Sequence, residues 1–264
     1  MSSHIHMPQW HAGAIARALC TLLIAFQITG CSNLSFPDSQ RWQQAASDSF
    51  RDPKTFVPLI ASAILAVEDY DEQLLRKAVK DKPVFGDSED PGDRSDDGLL
   101  FMQVMAMGTA LLGENDRQTG NTYWNRSWIS ATSQLSAGLV ADVLKNTTDR
   151  KRPDNSNFKS FPSGHSTQAF AAAAVAQRNL KNTSLSKNAL LWTDVGLTSV
   201  ASLTAWARVE ANRHWPTDVF FGAALGNFIA GTIYQAMLGS DSNLSFWLEP
   251  ADDQGWQLAV QVNF

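Results

Sequence analysis

Of all stretches in the chain, residues 161–177 constrain the fold most: FPSGHS runs into the apolar, alanine-rich QAFAAAAVAQ, which reads as a helix. Ser163 is a strong N-cap residue, and Gly164 lets the backbone come close to a neighbour. The first free N–H groups and the positive end of the helix dipole therefore face outward at this point. An anion suits that place. Taken alone, the same residues also describe an ordinary capped helix with a surface histidine, so other segments have to decide the chemistry.

Helical apolar spacing recurs at 55–79, 98–113, 128–146, 188–207 and 217–238, with 165–180 completing the set. A mainly α fold is expected. Residues 219–237 carry no charge over a length that nearly crosses a bilayer. Gly222, Gly226, Asn227, Gly231 and Gln235 within them suit a tightly packed central helix, and this segment reads as buried core. Between the first two helical patterns, KDKPVFGDSEDPGDRSDDG (80–98) is rich in Pro, Gly and Asp; its acids do not match an EF-hand loop and read as a solvated loop. At the C-terminus the period changes to two: Trp256, Leu258, Val260, Val262 and Phe264 alternate with other residues, and SFWLEP precedes them across ADDQG. A β-hairpin over 241–264 is expected.

The chain has 264 residues, 44% of them hydrophobic, and a formal charge of −5, which suits one globular domain and argues against a nucleic-acid partner. A mean hydropathy of −0.19 argues against a multi-span membrane protein. Residues 1–30 read as a signal peptide, with Arg17 ahead of the short apolar run ALCTLLIAFQITG. The segment ITGC, Ile28 to Cys31, resembles a bacterial lipobox, which implies lipid attachment at Cys31 and a tether over 31–54. Ser32 after the cysteine points to the outer membrane, facing the periplasm. Cleavage there discards Cys20, His4, His6 and His11, so the mature chain keeps only His165 and His214. That leaves too few ligands for a zinc site of the usual His/Cys type, and no metal is expected.

Two further segments flank the 161–166 stretch in sequence. In KNTTDRKRP (145–153), Lys145 and Arg152 stand seven apart, two helical turns if the segment is helical, and Pro153 follows. In ARVEANRHWPTD (207–218), Arg208 ends one helical pattern, Pro216 sits in the first turn of the next, and Asp218 lies four residues beyond His214. Together the three segments supply what phosphoryl transfer needs: fixed positive donors, a nucleophile, an acid for the leaving group and an orienting carboxylate.

K-x6-R-P, P-S-G-H and R-x5-H-x3-D, in this order, resemble the signature of the type 2 phosphatidic acid phosphatase and vanadium haloperoxidase superfamily. Ala207 departs from the serine usual before the arginine, which removes a hydroxyl from the site. The resemblance implies a helical bundle over 55–240 with a phosphate pocket between helix ends and loops, and no metal requirement. It implies that Lys145, Arg152 and Arg208 clamp phosphate oxygens, with hydrogen bonds added by Ser163 and the Gly164 N–H. His165 would protonate the leaving alkoxide and then activate water. His214 would attack phosphorus, with Asp218 accepting from its other nitrogen. The expected function is a phosphatase for phosphomonoesters or pyrophosphates, lipid phosphates among them, without a cofactor. The alternatives are a haloperoxidase, whose cofactor would be vanadate, and a lipid-anchored binding protein without catalysis.

Overall fold

The computed structural model describes residues 37–67, 70–86, 90–115 and 121–239, together with the backbone of 244–250 and 256–262. The segment expected to be a signal peptide, and Cys31, lie outside the described residues. Eight helices appear among them: α1 (Ser39–Arg51), α2 (Pro53–Val67), α3 (Tyr70–Asp81), α4 (Pro91–Ala110), α5 (Tyr123–Thr148), α6 (Gly164–Lys181), α7 (Lys187–Glu210) and α8 (Pro216–Leu238). After them, β1 (Leu244–Pro250) pairs antiparallel with β2 (Trp256–Val262), Leu248 lying opposite Leu258.

The centre of the bundle is α6. Its residues Ala169, Ala171 to Ala174, Val175 and Ala176 are buried, and it packs against α4, α5, α7 and α8. Small side chains let a helix be surrounded on all sides, because the backbones of its neighbours come close. The tightest approach is to α8: a Cβ on Gly226 would lie 2.1 Å from the Thr167 carbonyl oxygen, and one on Gly222 would lie 2.8 Å from that of Ser163. These are backbone atoms and cannot yield. Ser166 Oγ donates to the Val219 carbonyl at 2.6 Å and the Ser163 N–H to the Asp218 carbonyl at 3.0 Å, so the first turns of α6 and α8 are locked together. At the far end, Asn179 Nδ2 reaches Ser130 Oγ at 3.1 Å and Thr109 Oγ1 at 3.3 Å, and the Tyr234 hydroxyl donates to Asn179 Oδ1 at 3.1 Å. The buried Arg126 collects the carbonyls of Ala110, Gly113 and Glu114 beyond the end of α4. Those are the acceptors a helix C-terminus leaves open.

Three boundaries differ from the sequence expectation. The stretch expected as a tether, 31–54, contains α1, which Asp38 caps by accepting from the Arg41 N–H at 2.8 Å. Buried Ala45 and Ser49 seat α1 on α8, with Ser49 Oγ 3.4 Å from Gln235 Oε1. The pattern at 55–79 is two helices, α2 and α3. The expected loop at 80–98 ends early, because Asp90 caps a helix whose N1 residue is Pro91, and α4 begins there. As expected, the uncharged segment of α8 is core, packed on α1, α2, α5 and α6; it is the one helix among the described residues long and apolar enough to cross a membrane.

Candidate active site

The site lies where the end of α5, the start of α6, the end of α7 and the start of α8 converge, and α4 adds a residue from the side. Lys145 sits in the last turn of α5 and Arg152 in the loop that follows. Gly164 opens α6, and a Cβ there would meet Lys145 Nζ at 2.5 Å, so the glycine makes room for the ammonium group. Ser163 is fully buried and caps α6, its Oγ accepting from the Ser166 N–H at 3.5 Å. Arg208 lies in the last turn of α7 with its side chain largely buried. Its Nε is a buried donor with no hydrogen-bond partner among the described residues. A buried unpaired donor costs about 1–3 kcal/mol, and an anion in the site would satisfy it.

Burial, together with neighbouring cations, sets the electrostatics of the site. Burial first, and then the charges of Arg152 and Arg213, pull Arg208 below its ordinary value, with Asp96 and Asp154 opposing. Arg152 is lowered in the same way, by burial and by Arg213, against Asp154 and Asp218. The two histidines share this field. Arg152 and Arg208 both act on His214, while Arg208 and Lys145 act on His165. The structure thus brings Lys145, Arg152, Arg208, His165 and His214 into one neighbourhood.

His214 is buried at 1% exposure, whereas the His165 side chain is 29% exposed. His214 Nδ1 lies 2.7 Å from the Ser160 carbonyl oxygen and 3.7 Å from Asp218 Oδ2. A carbonyl only accepts, so Nδ1 carries the proton and Nε2 presents its lone pair. The expected tautomer is present, but its direct partner is the Ser160 carbonyl, with the Asp218 carboxylate one step further off. Asp218 holds that partner in place: it accepts from Ser160 Oγ, and from the Trp215 N–H at 2.9 Å. Burial outweighs Asp218 and moves His214 down to about 4. It is therefore a neutral imidazole above that pH.

Four participants escaped the sequence reading. Arg150 Nη1 donates to Asp218 Oδ1 at 2.7 Å, and its Nη2 donates to Asp71 Oδ2 at 2.6 Å. Asp71, from α3, also accepts from the Thr217 N–H at 2.8 Å, and the Arg150 guanidinium stacks 5.6 Å from the centre of the Trp215 ring. Ser160 supplies the carbonyl just described. Asp96, in the second turn of α4, places Oδ1 2.6 Å from His165 Nε2 and 4.0 Å from Arg208 Nη1. Only Asp96 had a usable signal, the Asp90–Pro91 helix start two turns ahead of an apolar pattern.

Ala207, where the resemblance expects serine, is fully buried in α7. The expected site residues Lys145, Arg152, Ser163, Gly164, His165, Arg208, His214 and Asp218 all belong to this convergence, while Cys31 falls outside the described residues.

The chain is 36% identical over 104 residues to a lipid A 1-phosphatase of Porphyromonas gingivalis and 31% identical over 157 residues to one of Rhizobium etli. Those matches cover 39% and 52% of this chain but only 22% and 60% of the relatives, so the chain spans less than two thirds of either. A transmembrane PAP2-type phosphatidylglycerolphosphate phosphatase of known structure from Bacillus subtilis shares the fold. It gives a TM-score of 0.52 at 24% identity, over 70% of this chain and 94% of that one. The family model of the PAP2 superfamily matches residues 126–241, a span that contains all three motifs and both histidines. Over these residues the chain is similar to the PAP2 superfamily.

Proposed function

We propose that the protein is a metal-independent phosphatase that hydrolyses phosphomonoesters or pyrophosphates, lipid phosphates included, through a phosphohistidine on His214. The observation that carries this reading is the cluster of Lys145, Arg152 and Arg208, with an unpaired buried Arg208 Nε, around one buried neutral histidine and one half-buried histidine. His214 Nε2 attacks phosphorus as the P–O bond to the leaving group lengthens, and His165 gives that oxygen its proton. A water then loses its proton to His165 and attacks the phosphohistidine, releasing phosphate and restoring both imidazoles. The three cations stabilise the charge on the equatorial oxygens throughout.

Phosphate release from an alkyl phosphate by the purified protein should persist in EDTA, because side-chain cations supply the charge that a metal would otherwise provide. Complete loss, restored by magnesium or zinc, would contradict the reading. The pH profile follows from the two histidines. His214 must be neutral, so kcat/KM should rise with a midpoint near 4. His165 must be protonated, and burial, with Arg208 and Lys145, holds it below 6.5 against the opposing Asp96, so activity should fall through a midpoint under that value. The optimum is therefore acidic. With p-nitrophenyl phosphate, whose leaving group needs no proton, the upper limb of kcat/KM should vanish.

A lipid substrate is supported by the relatives named above and by apolar side chains left exposed on four helices: Val57 and Ile64 on α2, Leu100 and Val104 on α4, Val143 on α5 and Trp192 on α7. Attachment at Cys31, facing the periplasm from the outer membrane, would hold the site beside such a surface. The substitution Cys31→Ser should release the protein from membranes or stall its processing. Unchanged fractionation and processing would refute the anchor.

A further inference from the structure

His165 and Arg208 meet through one atom that the phosphatase chemistry has not yet used. Asp96 Oδ1 stands 2.6 Å from His165 Nε2 and 4.0 Å from Arg208 Nη1. An oxygen at that point touches the acid and faces the clamp together. This is the place a leaving-group oxygen must take if His165 is to protonate it while Arg208 holds the phosphoryl group. The Asp96 side chain is 66% exposed, so it has room to rotate aside when substrate enters. Rotation about the Cα–Cβ bond keeps the carboxylate beside the leaving group, because α4 itself is fixed. Its first turns are held by the buried Ser95, whose Oγ donates to the Thr204 carbonyl at 3.1 Å, and by Gly98, where a Cβ would come within 2.3 Å of Thr204 Oγ1.

We propose that Asp96 determines specificity by selecting the leaving group, accepting from hydroxyl or ammonium groups on it and repelling a leaving group that is itself a phosphate. The inference rests on the phosphatase reading and narrows it: simple monoesters whose departing alcohol carries hydrogen-bond donors are favoured, such as a sugar phosphate, and pyrophosphates are disfavoured. The charge logic is direct. In a pyrophosphate the P–O bond that breaks leaves a phosphate anion next to the Asp96 carboxylate. In a monoester it leaves an alkoxide that takes the His165 proton and departs neutral. A carboxylate within a few ångströms of one extra negative charge, in a partly solvated setting, costs on the order of tenfold in rate per charge. Asp96 also supports the protonated form of His165, which only the monoester reaction needs in full.

The test uses the full chain and two probes with the same hydrocarbon tail, an alkyl monophosphate and the matching alkyl pyrophosphate. The wild type should favour the monophosphate in kcat/KM. Asp96→Asn keeps the size and removes the charge, so the monophosphate-to-pyrophosphate ratio should drop about tenfold or more, with the pyrophosphate rate rising in absolute value. Asp96→Glu retains the charge and should retain the preference. A merely structural role would lower both rates together. A ratio in Asp96→Asn within about twofold of wild type, with both probes still hydrolysed, would overturn the assignment. Release of phosphate from neither probe by the wild type would instead overturn the phosphatase reading, and this assignment with it.

Discussion

Replacing His214 with alanine should lower turnover by at least roughly 10⁴-fold for every substrate, whatever its leaving group. The side chain is 1% exposed, its Nδ1–H is fixed on the Ser160 carbonyl at 2.7 Å, and burial holds it down at about 4, so it is a neutral imidazole whose Nε2 lone pair is left to act. No second imidazole can replace it: His165 is the other histidine of the site, and its Nε2 faces Asp96 and Arg208. His214→Gln provides the control for packing, since it fills most of the volume and should melt close to wild type while remaining inactive. His165→Ala should behave differently. Alkyl phosphates should slow by about 10²–10⁴-fold, whereas attack on p-nitrophenyl phosphate should be nearly spared. Steady-state kinetics on both esters in the three variants checks each expectation.

A large loss of stability is expected from Arg150→Ala. Asp218 is wholly buried and the Asp71 side chain is 11% exposed, yet both lean on this one guanidinium. Removing it strands two carboxylates that cannot reach water freely. Breaking a buried pair costs about 3–5 kcal/mol; because the Arg150 side chain is itself a third exposed, about 2–3 kcal/mol is the better expectation. A melting temperature lowered by roughly 4–12 °C in circular dichroism follows for a domain of this size. Activity should fall further than stability explains, since Asp218 holds Ser160, and Ser160 holds His214. Arg150→Lys should recover part of the stability but not the two-way geometry, because an ammonium group cannot span both carboxylates as a planar fork does. A melting temperature in Arg150→Ala within a degree or two of wild type would show that the bridge contributes little.

The helices and the motif residues were legible in the sequence because each left a side-chain signature. Periodic apolar spacing marked α4 to α8, and the Ser163 cap and the Pro216 helix start each had a local physical meaning; Lys145 and Arg152 do not share a helix face, because α5 ends at Thr148 and Arg152 lies in the loop beyond it. What stayed hidden was relational. In DRKRP, three adjacent cations, Arg150, Lys151 and Arg152, look alike, and only the fold decides that Arg150 turns toward Asp71 and Asp218 while the charge of Arg152 acts on Arg208 and His214. Ser160 contributes a backbone carbonyl, which no side chain announces. Asp96 was read as part of a solvated acidic loop because composition averages over a segment whose second half is the start of α4. The same averaging concealed the apolar outer faces: Val57, Leu100, Val104, Val143 and Trp192 are exposed on helices whose ends carry the charges that keep the mean hydropathy low.

A covalent phosphate should form on His214 without any need for His165 when the leaving group needs no proton. This is tested most directly by mixing His165→Ala with p-nitrophenyl phosphate labelled in phosphorus, quenching without acid within milliseconds to seconds, and mapping the labelled peptide. Without the base that activates water, the phosphohistidine should accumulate, and the label should map to His214 and be absent from His214→Ala. Label found in His214→Ala and missing from His165→Ala would contradict the account, because the nucleophile would then be His165.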